Sequence, residues 1–329
     1  MKLYKYTGAL YCSIPEEALP KNVIFDTDWF DDVDDVVAVR ILSWGVKTKK
    51  INLIGSVLNA VRQSAPNDSV ASLSCILNYE GLGDTEIGAD KTNTLTNNLP
   101  NWHKAITDNW SHKKYSDITS VMDSTAFYRK KLSEADEKID IICVGFLNCI
   151  DKLLSSTADA YSPLDGVQLV NNKVNKIWCM GGRYPVCETA EWNFARNGAT
   201  FAKTASHNVC ANCPVPIIFV GSEVGGTVIS GNTIAETLGT DDLIYIAMEA
   251  YSAGKVRGSH DPLTALLAIR NDADKAGYDL TYGTNSVDAS TGINTFTVSG
   301  TGSHAYVTKR HSDSNYAYEL NQILEKHGW

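Results

Sequence analysis

Ten residues, Asp26-Thr27-Asp28-Trp29-Phe30-Asp31-Asp32-Val33-Asp34-Asp35, carry six carboxylates. Carboxylates this dense repel one another, and each is pushed toward its protonated form unless a cation neutralises it. Oxygen-only ligands suit a hard divalent ion, calcium or magnesium. The stretch alone leaves other chemistries open. It can be a solvated acidic loop that caps a helix. It can belong to a phosphatase with an aspartate nucleophile, although no Gly-rich phosphate loop or Lys partner accompanies it. An EF-hand fails on spacing, because the sixth and twelfth positions hold Asp31 and Val37 where Gly and Glu are needed.

The elements that must position these groups are legible on either side. Val23-Ile24-Phe25 reads as a short buried strand, and Val36-Val37-Ala38-Val39 opens a helix from Asp34 to about Trp44. Asp26 and Asp28 then share a direction at the strand end. Asp34 and Asp35 sit in the first helical turn, where the dipole tolerates negative charge. Further apolar runs at 51–58, 85–89, 139–144, 176–180 and 215–220 predict strands, with helices between them and at 67–79, 117–135, 241–254, 261–270 and 314–326. Strands without alternation, separated by helices, predict an α/β fold with an open, mainly parallel sheet and helices on both faces. The loosely alternating stretch 293–308 predicts a small antiparallel hairpin near the C-terminus. We expect one domain over 1–329, with an irregular lead-in over 1–21.

Ligands in such sheets bind beyond the carboxyl ends of the strands. That rule gathers Asp26, Asp28, Asn59, Val144-Gly145, Gly181-Gly182, Glu191-Trp192-Asn193 and His260-Asp261 into one region. The polar stretch 90–116 has no clear period and is long for a plain loop, so it is expected to cover a site. Trp102, His103 and Trp110 within it are candidate stacking partners, with a structural role as the simpler reading.

Composition narrows the function class. A formal net charge of -9 argues against a nucleic-acid backbone partner. No 18-residue apolar run predicts a membrane span, and the start, Met1 to Tyr6, lacks a signal-peptide core, so the cytoplasm is the default expectation. The eight cysteines are scattered, unlike a disulfide framework. Cys143 and Cys179 read as small core residues. Cys210-x-x-Cys213, with His207 nearby, is short of a zinc ligand set, so plain thiols are expected.

Four segments in order resemble the inosine- and uridine-preferring nucleoside hydrolase family. Asp26-Thr27-Asp28 followed by Asp32-Val33-Asp34-Asp35 is similar to its aspartate signature, with two extra residues before the final pair. Val144-Gly145-Phe146-Leu147-Asn148 resembles its Gly-Pro-Leu-Thr segment with the preceding residue. Met180-Gly181-Gly182 with Ala190-Glu191-Trp192-Asn193 resembles its Met-Gly-Gly and Ala-Glu-Phe-Asn pair. His260-Asp261-Pro262-Leu263 matches its His-Asp-Pro-Leu segment. The resemblance spans about 22–270, with a weaker echo beyond.

The resemblance implies a calcium-dependent enzyme that splits the N-glycosidic bond of ribonucleosides. Its substrate would be a small nucleoside or ribosyl compound, and its assembly a homodimer or homotetramer. It implies that Asp28, Asp35, Asp261 and the Val144 carbonyl hold the ion, with Asp28 also the general base. Asp34, Asn59, Glu191 and Asn193 would hold the ribose hydroxyls, and His260 would protonate the leaving base. These residue types suit that reaction, because carboxylates stabilise the positive charge that grows on the sugar. Each also has a plainer reading: Asn59 and Asn193 as turn residues, His260 as a flank of an Asp261 cap, and Glu191 as a surface acid. Departures from the family pattern are Phe30, Phe146, Asn148 and Leu58, and Pro185 where an Asn is usual. Phe30 and Pro185 are expected to narrow or reshape a sugar pocket. Alternative readings are a same-fold hydrolase of another sugar compound and a non-catalytic ribose- or nucleoside-binding protein.

Overall fold

The computed structural model describes residues 20–96, 101–252 and 257–327, so the lead-in expected over 1–21 lies outside the described residues up to position 19. The strands are β1 Lys21–Thr27, β2 Ile51–Leu58, β3 Val61–Arg62, β4 Ile87–Ala89, β5 Thr94–Leu95, β6 Met122–Asp123, β7 Ile139–Cys143, β8 Val174–Met180, β9 Ile217–Val220, β10 Tyr278–Val287, β11 Asn294–Val298 and β12 His304–Lys309. Ten of them form one sheet in the order β11-β10-β12-β9-β8-β7-β1-β2-β4-β6, and β3 and β5 pair separately. From β12 to β6 every pairing is parallel.

The uninterrupted apolar strands are explained by burial on both sides. Val23 and Phe25 join one core and Ile24 the other; Trp178 and Met180 oppose Ile177 and Cys179 in the same way. Helices Asp34–Lys47, Pro66–Tyr79, His260–Arg270 and Asp313–Leu324 cover the first face. Helices Ser124–Glu134, Asn148–Leu154, Gly166–Lys173 and Thr200–Asn212 cover the second. Val23, Ile24 and Phe25 are fully buried, and burial of each such side chain stabilises by about 1.5–3 kcal/mol. The strand that carries the aspartates is thus held as a rigid central element.

Three expectations are corrected. The hairpin over 293–308 does not form: β11 and β12 both pair antiparallel with β10, which lies between them. In β10, Tyr278, Leu280 and Tyr282 alternate with polar residues, but the pattern stops at Gly283, and its two partners define the strand. The helix predicted over 117–135 starts late, at Ser124. The Asp117 side chain first accepts from the Thr119 and Ser120 N–H groups of a short 3₁₀ turn, and Asp123 then caps the true helix through Thr125 and Ala126. The stretch 90–116, read as lacking a clear period, holds β5 and helix Trp102–Asn109, capped by Asn101. Among the described residues no helix is long and apolar enough to cross a membrane.

Candidate functional site

The aspartate stretch leaves β1 at Thr27 and turns into helix Asp34–Lys47. The turn needs a left-handed residue, and Trp29 takes it with φ of 45°. A non-glycine residue in that region costs on the order of 1–3 kcal/mol, so its surroundings must hold it. His103 Nε2–H donates to the Trp29 carbonyl at 2.8 Å, Trp29 Nε1–H donates to Ser72 Oγ at 2.9 Å, and the Trp102 ring meets Trp29 edge-on at 5.5 Å. Trp102 and His103 are therefore fully buried supports for the turn, not base-stacking groups. Burial lowers the His103 pKa to about 3 and keeps the ring neutral.

Beyond the strand ends lies a cleft of about 520 Å³, a size suited to a small ligand. Asp28, Asp34, Asp35 and Asp261 line its floor, with the Val144 backbone beside them. Carboxylate oxygens of Asp34, Asp35 and Asp261 lie within 4.8 Å of one another. The first helical turn supplies two of these groups, and the start of helix His260–Arg270 supplies the third. The Asp261 N–H donates to Asp34 Oδ2 at 3.1 Å, tying the two helix starts together. Thr27 Oγ1 donates to Asp35.

No Lys or Arg forms an ion pair with Asp28, Asp34, Asp35 or Asp261 among the described residues. Burial, and then repulsion by neighbouring aspartates, pushes Asp28, Asp34 and Asp261 well above the ordinary carboxylate range. Burial raises Asp35 to about 7, partly offset by the Thr27 hydrogen bond. Buried, mutually repelling and all-oxygen, this donor set fits a hard divalent cation.

The facing wall is built from the ends of β8 and β9. Glu191 caps a short helix through the Asn193 N–H at 3.0 Å and also accepts the Gly182 N–H at 3.2 Å. Burial raises its pKa to about 7, and those two N–H groups oppose the shift. Asn193 Nδ2 donates to the Val144 carbonyl at 3.3 Å and to the Met180 carbonyl at 3.1 Å. His260 stands over the floor with Nδ1 buried and unpartnered among the described residues. Burial lowers its pKa, with Arg257 and Arg183 contributing and Asp32 opposing.

No protein-family model and no curated protein matches the sequence. Solved structures do match it. A purine-preferring ribonucleoside hydrolase from Gardnerella vaginalis aligns at TM-score 0.66 and 12% identity, over 93% of this chain and 98% of that one. An inosine-uridine preferring nucleoside hydrolase from Bacillus anthracis aligns at TM-score 0.63 and 14% identity, over 93% and 100%. The type III effector protein XopQ, complexed with adenosine diphosphate ribose, aligns at 0.64 and 15%, over 94% and 93%. The chain has the nucleoside hydrolase fold.

Within that fold, the cleft brings together Asp28, Asp34, Asp35, Val144, Glu191, Asn193, His260 and Asp261. Asp34, the residue expected at the ribose, is also one of the three clustered carboxylates. Asn59 does not reach the cleft. It is fully buried beneath it, where Nδ2 donates to Asp26 at 2.6 Å and Oδ1 accepts the Phe146 N–H at 3.3 Å. Asp26 is likewise buried, accepting from Tyr128 Oη at 2.5 Å, and burial raises it to about 7. The side chains of Asp26 and Asp28 thus have different surroundings. Phe30 and Phe146 do not narrow the cleft; they join a satellite core with Ala60, Leu95, Ala199 and Ala202. Pro185, after a cis Tyr184–Pro185 bond, is exposed and also outside the cleft lining. Cys210 and Cys213 are free thiols.

Several cleft residues escaped the sequence reading. Two further aspartates of the acidic stretch each hold an arginine: Asp31 pairs with Arg196, and Asp32 with Arg257. Arg196 also lies against the Phe30 and Trp192 rings, at 5.0 and 5.4 Å. Arg257, Arg183, Glu223 and Tyr251 line the cleft, and Arg196 stands behind its lining. The strand-end rule points to two of these, since Arg183 follows Gly181-Gly182 and Glu223 follows Gly221. Arg196, Arg257 and Tyr251 carry no local signal.

Proposed function

We propose that this protein hydrolyses the N-glycosidic bond of ribonucleosides or closely related ribosyl compounds, using calcium held at the aspartate cluster. The convergence of Asp28, Asp34, Asp35 and Asp261 with Glu191, Asn193 and His260 in one cleft carries this reading. The nucleoside hydrolase fold supports it, and the complex of one neighbour with adenosine diphosphate ribose supports a ribosyl ligand class.

Asp28, Asp35, Asp261 and the Val144 carbonyl would hold the ion, and Asp34 clusters with Asp35 and Asp261 closely enough to join them. Calcium bound there would neutralise the buried carboxylates and supply Lewis acidity toward the attacking water. In the reaction, water oxygen bonds to the anomeric carbon as the carbon–nitrogen bond breaks. The bond's electron pair leaves with the base, which takes up a proton, so the products are ribose and free base. Asp28 accepts the proton from water. Asp34, Glu191 and Asn193 bind ribose hydroxyls and lend negative charge to the oxocarbenium-like sugar. His260, neutral in its buried setting, delivers a proton taken from solvent to the leaving base. Asn59 acts indirectly, because it fixes the Gly145-Phe146 turn below the floor.

Asp28→Asn in the calcium-loaded protein is expected to lower base release by roughly 10²–10⁴-fold. A folded Asp28→Asn variant with wild-type turnover on a nucleoside panel would refute the assignment.

A further inference from the structure

The Gly182–Tyr184 turn is held in an unusual way. Three consecutive backbone N–H groups each donate to a different side chain: Gly182 to Glu191 at 3.2 Å, Arg183 to Asn294 at 3.0 Å, and Tyr184 to Glu223 at 3.3 Å. Asn294 returns a second bond, from Nδ2 to the Arg183 carbonyl at 3.1 Å. Gly182 adopts φ of 79°, and a Cβ there would meet the Tyr184 ring, with Oη 2.6 Å away. The backbone of Arg183 is thus fixed on both sides, while its exposed side chain lines the cleft.

That guanidinium differs from the other cations around the site. Arg196 is paired with Asp31, Arg257 with Asp32, and Lys309 with Asp313. Among the described residues the Arg183 side chain has no hydrogen bond or ion pair. Its charge nevertheless reaches Glu191, Glu223 and His260. A neutral nucleoside offers an arginine hydroxyl contacts and a base to stack on, but no opposite charge. An anionic ligand entering a cleft of carboxylates, in contrast, requires a fixed cation. Guanidinium geometry matches phosphate oxygens in paired, charge-assisted hydrogen bonds.

We infer that Arg183 is a specificity residue for a phosphoryl group close to the ribose, so that the substrates of this cleft are phosphorylated ribosyl compounds such as nucleoside 5′-phosphates. The inference rests on the proposed ribosyl site and deepens it. The hydrolysis is unchanged in balance: water adds at the anomeric carbon, the base leaves with the bonding pair, and ribose phosphate replaces ribose as product.

The test compares inosine with inosine 5′-monophosphate, and uridine with uridine 5′-monophosphate, on the full calcium-loaded chain. Binding is followed by calorimetry and turnover by base release, in wild type, Arg183→Gln and Arg183→Lys. Wild type is expected to favour the phosphorylated member of each pair by roughly 10- to 100-fold. That ratio should collapse toward one in Arg183→Gln, mainly through binding and KM, and be partly kept in Arg183→Lys. A wild type that treats both members alike, or an unchanged ratio in Arg183→Gln, overturns the inference. So does the absence of binding by either member. Preferential, Arg183-dependent binding without base release upholds the inference and refutes the hydrolase reading. Nucleoside hydrolysis without phosphate preference does the reverse.

Discussion

Calcium should stabilise this protein strongly at pH 8 and hardly at all at pH 5. Burial raises Asp35 from 3.8 to about 7. Its folded pKa lies above its unfolded one, so protonated Asp35 supports the fold below about pH 4, and that support is lost as pH rises through 7. At about 1.4 kcal/mol per pH unit, the loss is roughly 4 kcal/mol for this fully buried group. Calcium requires the ionised form, so it competes with the proton. At a calcium concentration 100 times its Kd at pH 8, binding stabilises the fold by about 2.7 kcal/mol. At pH 5, keeping Asp35 ionised costs on the order of 3 kcal/mol. The apparent affinity falls on the order of 100-fold, and the same calcium concentration then contributes less than about 1 kcal/mol. Urea unfolding at both pH values, each with calcium and with chelator, measures the difference. Buried His103 and His304, lowered to about 3 and 4, lose stability in the opposite sense as pH falls below their unfolded value. They are present in both arms and cancel. A calcium effect that is absent, or equal at pH 5 and pH 8, would refute the reasoning.

Three further outcomes follow from particular contacts. Tyr128→Phe removes a donor from buried Asp26 and should lower the unfolding free energy by about 1–3 kcal/mol in denaturant titration; an unchanged midpoint would show that Asp26 finds another donor. Gly145→Ala places a Cβ 2.5 Å from the Asp28 N atom and 2.8 Å from Asn59 Nδ2. It should cost about 1–3 kcal/mol and displace Asp28, so both Tm and turnover should fall together. Arg257→Ala breaks a pair with a half-exposed arginine, so stability should change by less than about 1 kcal/mol. KM should nevertheless rise, because that pair tethers the segment leading to His260 and Asp261; an unchanged KM would assign the pair no positioning role.

The parallel sheet was legible because its central strands are buried on both faces, which leaves apolar runs such as Val23-Ile24-Phe25 in the sequence. The floor of the cleft was legible for a related reason. Strand ends and helix starts place Asp28, Asp34, Asp35, Glu191 and Asp261 by local rules alone. What stayed hidden depends on contacts distant in sequence. Arg196 meets Asp31 across 165 positions, and Arg257 meets Asp32 across 225. Asn59 sits at a strand end as expected, yet its amide is taken up by Asp26 and the Phe146 N–H, and no local pattern shows that competition. β10 was missed because its pleat is only partly buried and its register comes from β11 and β12. Phe30 was expected to narrow a pocket, but it packs with Phe146 in a separate apolar cluster.

In the proposed function, the buried aspartate cluster holds a divalent ion that serves N-riboside hydrolysis. Release of free base and reducing sugar from a panel of ribonucleosides and their 5′-phosphates, followed with added calcium and again with chelator, tests it most directly. The account predicts release that chelator abolishes and calcium restores. Release that persists in chelator, or no release from any ribosyl compound by a folded, calcium-loaded protein, would contradict it.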